Sequence, residues 1–178
     1  MKILLKLFAL TMAAALLSGC VGVAINGSTL ALKALPRAEI EKLAVKGDAD
    51  AQYELGLSHC CMGVGFDTQV ATQWLCKAAA QGQRDAMYEL GRIYLGEVSR
   101  TPAPVQKVLR AATAKKSPAH AYYWLSHAVE LEQADAARKL RKLEQTISDT
   151  EREQAADLSP DPARVACEYD VVFAKSVE

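Results

Sequence analysis

The residues in this chain that could do chemistry are its cysteines and histidines. Cys60, Cys61, Cys76 and Cys167 are spread through the body of the sequence, and Cys20 closes an apolar run near the N-terminus. His59 adjoins Cys60 and Cys61, so a Cys₃His metal set can be written with Cys76. The spacing speaks against it: there is no Cys-x-x-Cys knuckle, and neighbouring residues on a helix point about 100° apart. His120 and His127 stand seven residues apart and could share a helix face, and any His can act as a base. The sequence places no carboxylate or nucleophile beside them. A nucleophile elbow, a phosphate-binding Gly-rich loop and paired metal-ligating histidines are all missing from the sequence. Gly63-Val64-Gly65 reads as a turn, since no strand precedes it. No catalytic residue, metal or cofactor is assigned, and the chain is not expected to be an enzyme.

Lys2 and Lys6 lead into an apolar run from Leu7 to Leu17, which ends in Leu17-Ser18-Gly19-Cys20. A basic start, a short apolar stretch and a small-residue stop make residues 1–19 an export signal, and the run is too short to span a membrane comfortably. The closing tetrapeptide looks like a bacterial lipobox. That resemblance implies cleavage before Cys20 and lipidation of Cys20. Several acyl chains would hold the protein firmly to a membrane, at ~0.8 kcal/mol per buried CH₂. Val21 stands where Asp would retain an enterobacterial lipoprotein at the inner membrane, which implies an outer-membrane protein facing the periplasm. Residues 20–35 then form the lipidated terminus and a tether. The full chain carries 21 basic and 21 acidic side chains, and losing Lys2 and Lys6 leaves it slightly acidic. With no dominant basic face, nucleic acid is not an expected partner.

In an exported chain, four remaining cysteines favour disulfides over free thiols. A vicinal Cys60–Cys61 bond would be strained, which favours one of the two joining Cys76 and the other joining Cys167. A helical hairpin turning near Gly63–Gly65 sets Cys76 opposite Tyr53, roughly 10 Å from Cys60 at 1.5 Å per residue. That exceeds the ~7 Å between Cα atoms that a bridge can span. On this second count Cys76 stays an odd buried thiol, and Cys60 or Cys61 pairs with Cys167. Both readings stand at this point.

The elements that must position these residues come from a repeat. Ala51-Gln52-Tyr53-Glu54-Leu55-Gly56 recurs as Ala86-Met87-Tyr88-Glu89-Leu90-Gly91, an offset of 35 residues. Between the copies lie Asp67, Ala71, Trp74-Leu75 and Lys77-Ala78-Ala79, at helical spacing. A fixed period in this range marks a solenoid. Gly56 and Gly91, inside helices, allow a partner helix to approach closely, with Trp74 and Tyr53 expected to fill the remaining space. These residues resemble the Sel1-like repeat, a relative of the tetratricopeptide repeat, from about Ala38 to Leu158. The resemblance implies an all-α fold, a right-handed solenoid of antiparallel helical hairpins with about six to eight helices, over residues 36–158. Residues 159–178 form a C-terminal tail.

Within that frame Pro36 opens a capping helix that ends at Gly47. Asp67 caps a helix running to about Gln81, Gly82 stops it, and Ser117-Pro118 starts another. Ser148-x-x-Glu151 reads as a capping box. The charge run Arg138, Lys139, Arg141 and Lys142 reads as a solvated helix face. Val165–Phe173, mixing apolar and β-favouring residues, is expected to fold back on the array.

Gly56 and Trp74 are 18 residues apart, but Gly91 and Trp124 are 33 apart, an insertion of 15 falling at about 96–117. It opens with Thr101-Pro102-Ala103-Pro104, is predominantly basic, and carries a short helix at Val105–Ala114. Insertions in repeat arrays cluster on one face, often the binding face. Lys107 and Arg110 in the insertion, with Tyr122 and Tyr123 after it, are the candidate partner-binding residues, since aromatic and Arg side chains tend to carry interface energy. The resemblance implies a lipid-anchored periplasmic protein-interaction module, an adaptor or scaffold in the cell envelope, whose protein partner is unidentified. Two other roles follow from the family: an immunity protein neutralising a periplasm-directed toxin, and an enzyme acting on cell-wall or β-lactam compounds.

Overall fold

The computed structural model describes Leu32, residues 34–60, 67–97 and 115–174, apart from the side chain of Ala174. The chain divides into two units, Met1–Pro36 and Arg37–Glu178. In the first, only Leu32 and residues 34–36 are described, so Cys20, the leader and most of the tether lie outside the described residues.

The second unit is built of helices, with no strand among its described residues. In order they are α1 (Arg37–Val45), α2 (Ala49–His59), α3 (Thr68–Ala79), α4 (Arg84–Tyr94), α5 (Pro118–Glu130), α6 (Ala136–Glu144), α7 (Asp149–Ala156), a 3₁₀ turn (Pro162–Arg164) and α8 (Tyr169–Ala174). The starts are written in the sequence as caps. The Asp48 carboxylate accepts from Ala51 N–H at 2.8 Å, and that of Asp67 accepts from Gln69 and Val70 at 2.9 and 3.2 Å. Ser148 and Glu151 form a reciprocal capping box at α7. Ser117 does not cap α5 through its side chain; its hydroxyl pairs with His120 Nδ1 at 2.8 Å instead.

Consecutive helices from α1 to α6 pack against one another, while α7 rests on α5 and α8 on α3. The α2–α3 pair is antiparallel: Gln81 bonds Gln52 near one end, Gly56 meets Leu75 midway, and Asp67 N–H bonds His59 C=O at the other end. The α4–α5 pair repeats this, with Arg84 on the carbonyls of Leu131 and Glu132, Gly91 against Leu125, and Ser117 N–H on Tyr94 C=O.

At the centre of each pair a glycine admits a leucine. A Cβ on Gly56 would lie 2.8 Å from Leu75 Cγ, and one on Gly91 would lie 2.7 Å from Leu125 Cγ. Leu75 and Leu125 are fully buried, as are Ala71 and Ala121 beneath them. The junctions repeat as well. The amide of Gln83 reaches Asp50 at 3.3 Å, and that of Gln133 reaches Asp85 at 3.3 Å. The same Gln side chains turn their oxygens to helix starts, at Ala86 N–H (2.7 Å) and Ala136 N–H (2.8 Å).

Tyr53 packs against the core as expected, but Trp74 does not join it. Both are half-buried, and Lys77 Nζ sits 4.3 Å above the Trp74 ring. The equivalent Trp124 is fully buried in the second hairpin, which shares the Gly–Leu seam, so the seam itself does not keep Trp74 out. Of the basic run on α6, Arg138, Arg141 and Lys142 are exposed, but Lys139 is half-buried and paired with Glu97, just ahead of the insertion.

Candidate binding surface

Two surfaces of the second unit gather side chains that can recognise a partner. The first is on α5. Tyr122 and Tyr123 are adjacent, so their side chains leave the helix about 100° apart and meet different surroundings. Tyr122 is half-buried, with the Arg152 guanidinium of α7 5.9 Å from its ring centre. Tyr123 is only 6% exposed. Its ring stands edge-on to Trp124 at 5.0 Å and to His127 at 4.5 Å. Burial pushes the Tyr123 hydroxyl up to about 12, with the Asp161 and Glu130 carboxylates adding to the rise. The Tyr123 hydroxyl and Trp124 Nε1 are buried with no hydrogen-bond partner among the described residues. Tyr122 is thus partly exposed at the edge of the core, and Tyr123 is placed within it. Lys107 and Arg110 lie outside the described residues.

The second surface is the cleft between α3 and the α4–α5 pair, and the C-terminal tail occupies it. The Tyr94 hydroxyl donates to Cys167 C=O, and Tyr169 N–H donates to Thr72 Oγ1 at 3.1 Å. Phe173 packs its ring 6.1 Å from Tyr94 and 4.5 Å from Tyr169. The His120 ring also lies against Tyr94, at 5.4 Å, and Lys115 Nζ lies 5.7 Å from the Phe173 ring. Burial drives the Tyr94 hydroxyl far above its usual value, reinforced by Tyr169, Glu168 and Asp170. The tail does fold back on the array, but as a 3₁₀ turn and a short helix: Tyr169 and Phe173, four apart, share one helical face.

A disulfide fastens it. Cys76 on α3 bonds Cys167, with 5.8 Å between the Cα atoms. This corrects both readings: neither Cys60 nor Cys61 takes Cys76 or Cys167, and Cys76 is not an odd buried thiol, because the two cysteines outside the Cys60–Cys61 pair hold each other. The partner of Cys76 comes from outside the hairpin, on the tail, so the distance from Cys76 to Cys60 along the hairpin does not decide the pairing. Cys60 is disulfide-bonded too. Because Cys76 and Cys167 hold each other, its partner lies outside the described residues, as does Cys61. Beside the Cys76–Cys167 bond opens a groove of about 290 Å³, lined among others by Gln73, Lys77, Ala163, Glu168 and Val171.

The histidines are separated by use. His59 Nε2 receives the Arg37 guanidinium at 3.0 Å, tying α1 to α2, and His127 pairs with Glu130 at 3.1 Å. Among the described residues, no three His, Cys, Asp or Glu side chains stand where they could hold a metal ion, and no helix is long and apolar enough to cross a membrane. Thr72, Lys115, Arg152 and Phe173 are the contributors that sequence reasoning missed. The Tyr169–Phe173 spacing was the available signal. Nothing in the sequence points to Thr72. No protein-family model matches the chain, and no curated protein matches it either.

Proposed function

We propose that this protein is a lipid-anchored, periplasmic protein-interaction module whose helical hairpins stack as a Sel1-like solenoid. The observation that carries the reading is the recurrence, in two successive hairpins, of a Gly–Leu close approach and a Gln–Asp link. Such hairpins cannot bury their apolar faces alone, and stacking them creates an extended surface suited to binding another protein. The disulfide between Cys76 and Cys167 supports an oxidising, exported setting. Leu17-Ser18-Gly19-Cys20 supplies the anchor. Tyr122 with Arg152 is the aromatic–cation pair on which a partner would seat, five residues past the end of the basic insertion.

The test is a cross-linked pull-down from membranes with three proteins: intact, Tyr122→Ala, and one lacking Val98–Lys116. Loss of one dominant partner on deletion, with circular dichroism unchanged, supports the module and puts its site at the insertion. Loss with Tyr122→Ala alone places it on α5. If no protein is held while a cell-wall fragment or a β-lactam binds, the module reading fails. Substituting Cys20→Ser should move the protein from the membrane to the soluble fraction; a protein that stays on the membrane refutes the anchor.

A further inference from the structure

The tail is held to the array by a covalent bond, by hydrogen bonds and by apolar side chains that join the core. Its buried side chains are Val165, Cys167 and Phe173, with Tyr169 and Val172 half-buried. Hydrogen bonds cross between it and the array at Tyr94 and at Thr72. Ahead of it, Asp157 to Arg164 contains Pro160 and Pro162 and packs lightly: Pro160, Asp161, Ala163 and Arg164 are exposed or nearly so. The residues under the tail are of another kind. Thr72, Leu75 and Tyr94 are fully buried with the tail in place, and they belong to helices that also pack against one another.

The bond itself is reachable. Both cysteines line the 290 Å³ groove, Cys76 is half-buried, and the exposed Lys77 is adjacent in sequence and in the same lining. Cys167 is only 6% exposed and Cys76 is half-buried, so a thiolate entering the groove is directed to Cys76 Sγ; the lining carries one cation, Lys77, and one carboxylate, Glu168.

We propose that the Cys76–Cys167 disulfide is an exchange site for a dithiol, and that its reduction releases the tail and opens the α3–α5 cleft. In the first step a thiolate of the dithiol attacks Cys76 Sγ. The S–S bond breaks with its electron pair on Cys167 Sγ, which takes up a proton. The second thiolate of the dithiol then closes on the first sulfur, and Cys76 leaves as a thiol. The protein gains two electrons and two protons, and the dithiol becomes a disulfide. The cleft so exposed presents the Tyr94 hydroxyl, Thr72 Oγ1 and the His120 ring, a surface shaped for a short aromatic helix such as the one that leaves it. The inference does not depend on the function proposed above.

The test uses the full exported chain with dithiothreitol, without denaturant, quenched with N-ethylmaleimide and peptide-mapped. Amide hydrogen exchange is followed in parallel. The expected result is labelling of Cys76 and Cys167, an exchange rate at least about tenfold higher over residues 165–174, and unchanged protection in α2 to α5. Because dithiothreitol can also reduce the bond at Cys60, a Cys76→Ser/Cys167→Ser double variant isolates the tail, and it should show the same rise. Cysteines that resist labelling until the array unfolds would overturn the proposal. So would a tail that stays protected after reduction, or a loss of helical signal along with the bond, which would make it a staple of the fold.

Discussion

The two hairpins, α2–α3 and α4–α5, are built on the same contact and finished differently. Gly56 against Leu75 and Gly91 against Leu125 are equivalent, and so are Ala71 and Ala121, and Ala78 and Ala128, all four alanines fully buried. The differences lie at the positions just off that seam. In the first hairpin Thr72 and Cys76 are small, and Trp74 is half-buried under Lys77. In the second the same places carry Tyr122 and Ser126, while Trp124 is fully buried beside Tyr123. The reason is what lies on top. The first hairpin is covered by the tail, which needs a hydroxyl at Thr72 and a sulfur at Cys76. The second is packed by α6 and α7 on α5, while the tail reaches it only at Tyr94 and its surroundings. The seam keeps the helices at one distance; the flanking positions select the cover.

The largest effect should separate the two tryptophans. Trp124→Ala empties a fully enclosed site and is expected to cost about 3–5 kcal/mol. Trp74→Ala removes a half-exposed ring and one cation–π contact, and should cost about 1 kcal/mol. Urea unfolding followed by circular dichroism measures both. Equal losses would mean that the hairpins are packed alike.

The glycines come next. Gly91→Ala drives a methyl into Leu125, with overpacking costs of about 1–3 kcal/mol against up to ~1 kcal/mol regained in helix propensity. A net loss of about 1–2 kcal/mol is expected at both Gly91 and Gly56. The two sites should part company when the leucine is shortened. At Gly91 the close atoms are Leu125 Cγ and Cδ2, at 2.7 and 2.8 Å, and the Ala121 carbonyl stands off at 3.5 Å. In a Leu125→Ala background, Gly91→Ala should therefore be neutral or stabilising. At Gly56 the Ala71 carbonyl is at 3.2 Å and cannot rotate away, so Leu75→Ala should relieve Gly56→Ala only in part. A double-mutant cycle at each site reads this directly.

Alkali should probe both covers at once. Tyr94 lies under the tail and Tyr123 sits in the second hairpin, and burial raises both hydroxyls above 10.0. A raised value means that the folded state holds its proton where the unfolded chain releases it. The stabilisation is complete below about pH 10, and it is lost as pH climbs through the folded values. Unfolding should set in between pH 10 and about 12, together with tyrosinate absorbance. Removing one buried hydroxyl with Tyr123→Phe should raise the midpoint. A midpoint that does not move would show that Tyr123 ionises without strain.

Much of this was written in the sequence, because the constraints were local. Asp67 and the Ser148–Glu151 box announce helix starts by side-chain chemistry, and the doubled hexapeptide gives the hairpin seam. What escaped was long-range. The approach of the tail to α3 joins residues 91 apart in the chain, and nothing near Cys76 signals that its partner arrives from outside the hairpin. Trp74 misled for the same reason: its place in the hairpin matches that of Trp124, but burial depends on what covers the helix. Likewise Tyr122 and Tyr123 could be separated in direction by helix geometry, while which of them is buried was settled by the packing of α5 against its neighbours.

The smallest expected effect concerns the junctions that follow each hairpin. Gly82, after the first, has φ +82°, and Glu132, after the second, has φ +57°. The hydrogen bonds match: Gly82 N–H to Ala79 C=O and Gln83 N–H to Ala78 C=O, then Glu132 N–H to Val129 C=O and Gln133 N–H to Ala128 C=O. Both are left-handed helix ends, which glycine adopts without a Cβ penalty. Glu132 is exposed, and the Arg84 contacts at this junction are to the carbonyls of Leu131 and Glu132, which any residue retains. Glu132→Gly should therefore stabilise by about 0.5–1 kcal/mol, less the added entropy of a glycine in the unfolded chain. Gly82→Ala meets no atom within 4 Å, so its cost is pure backbone strain of about 1 kcal/mol in the opposite sense. If thermal melts show the two substitutions moving Tm in opposite directions by a few degrees, the junctions share one geometry and differ in a single unrelieved residue. A Glu132→Gly protein less stable than the parent would mean that the Glu132 side chain holds the second junction in a way the first does not need.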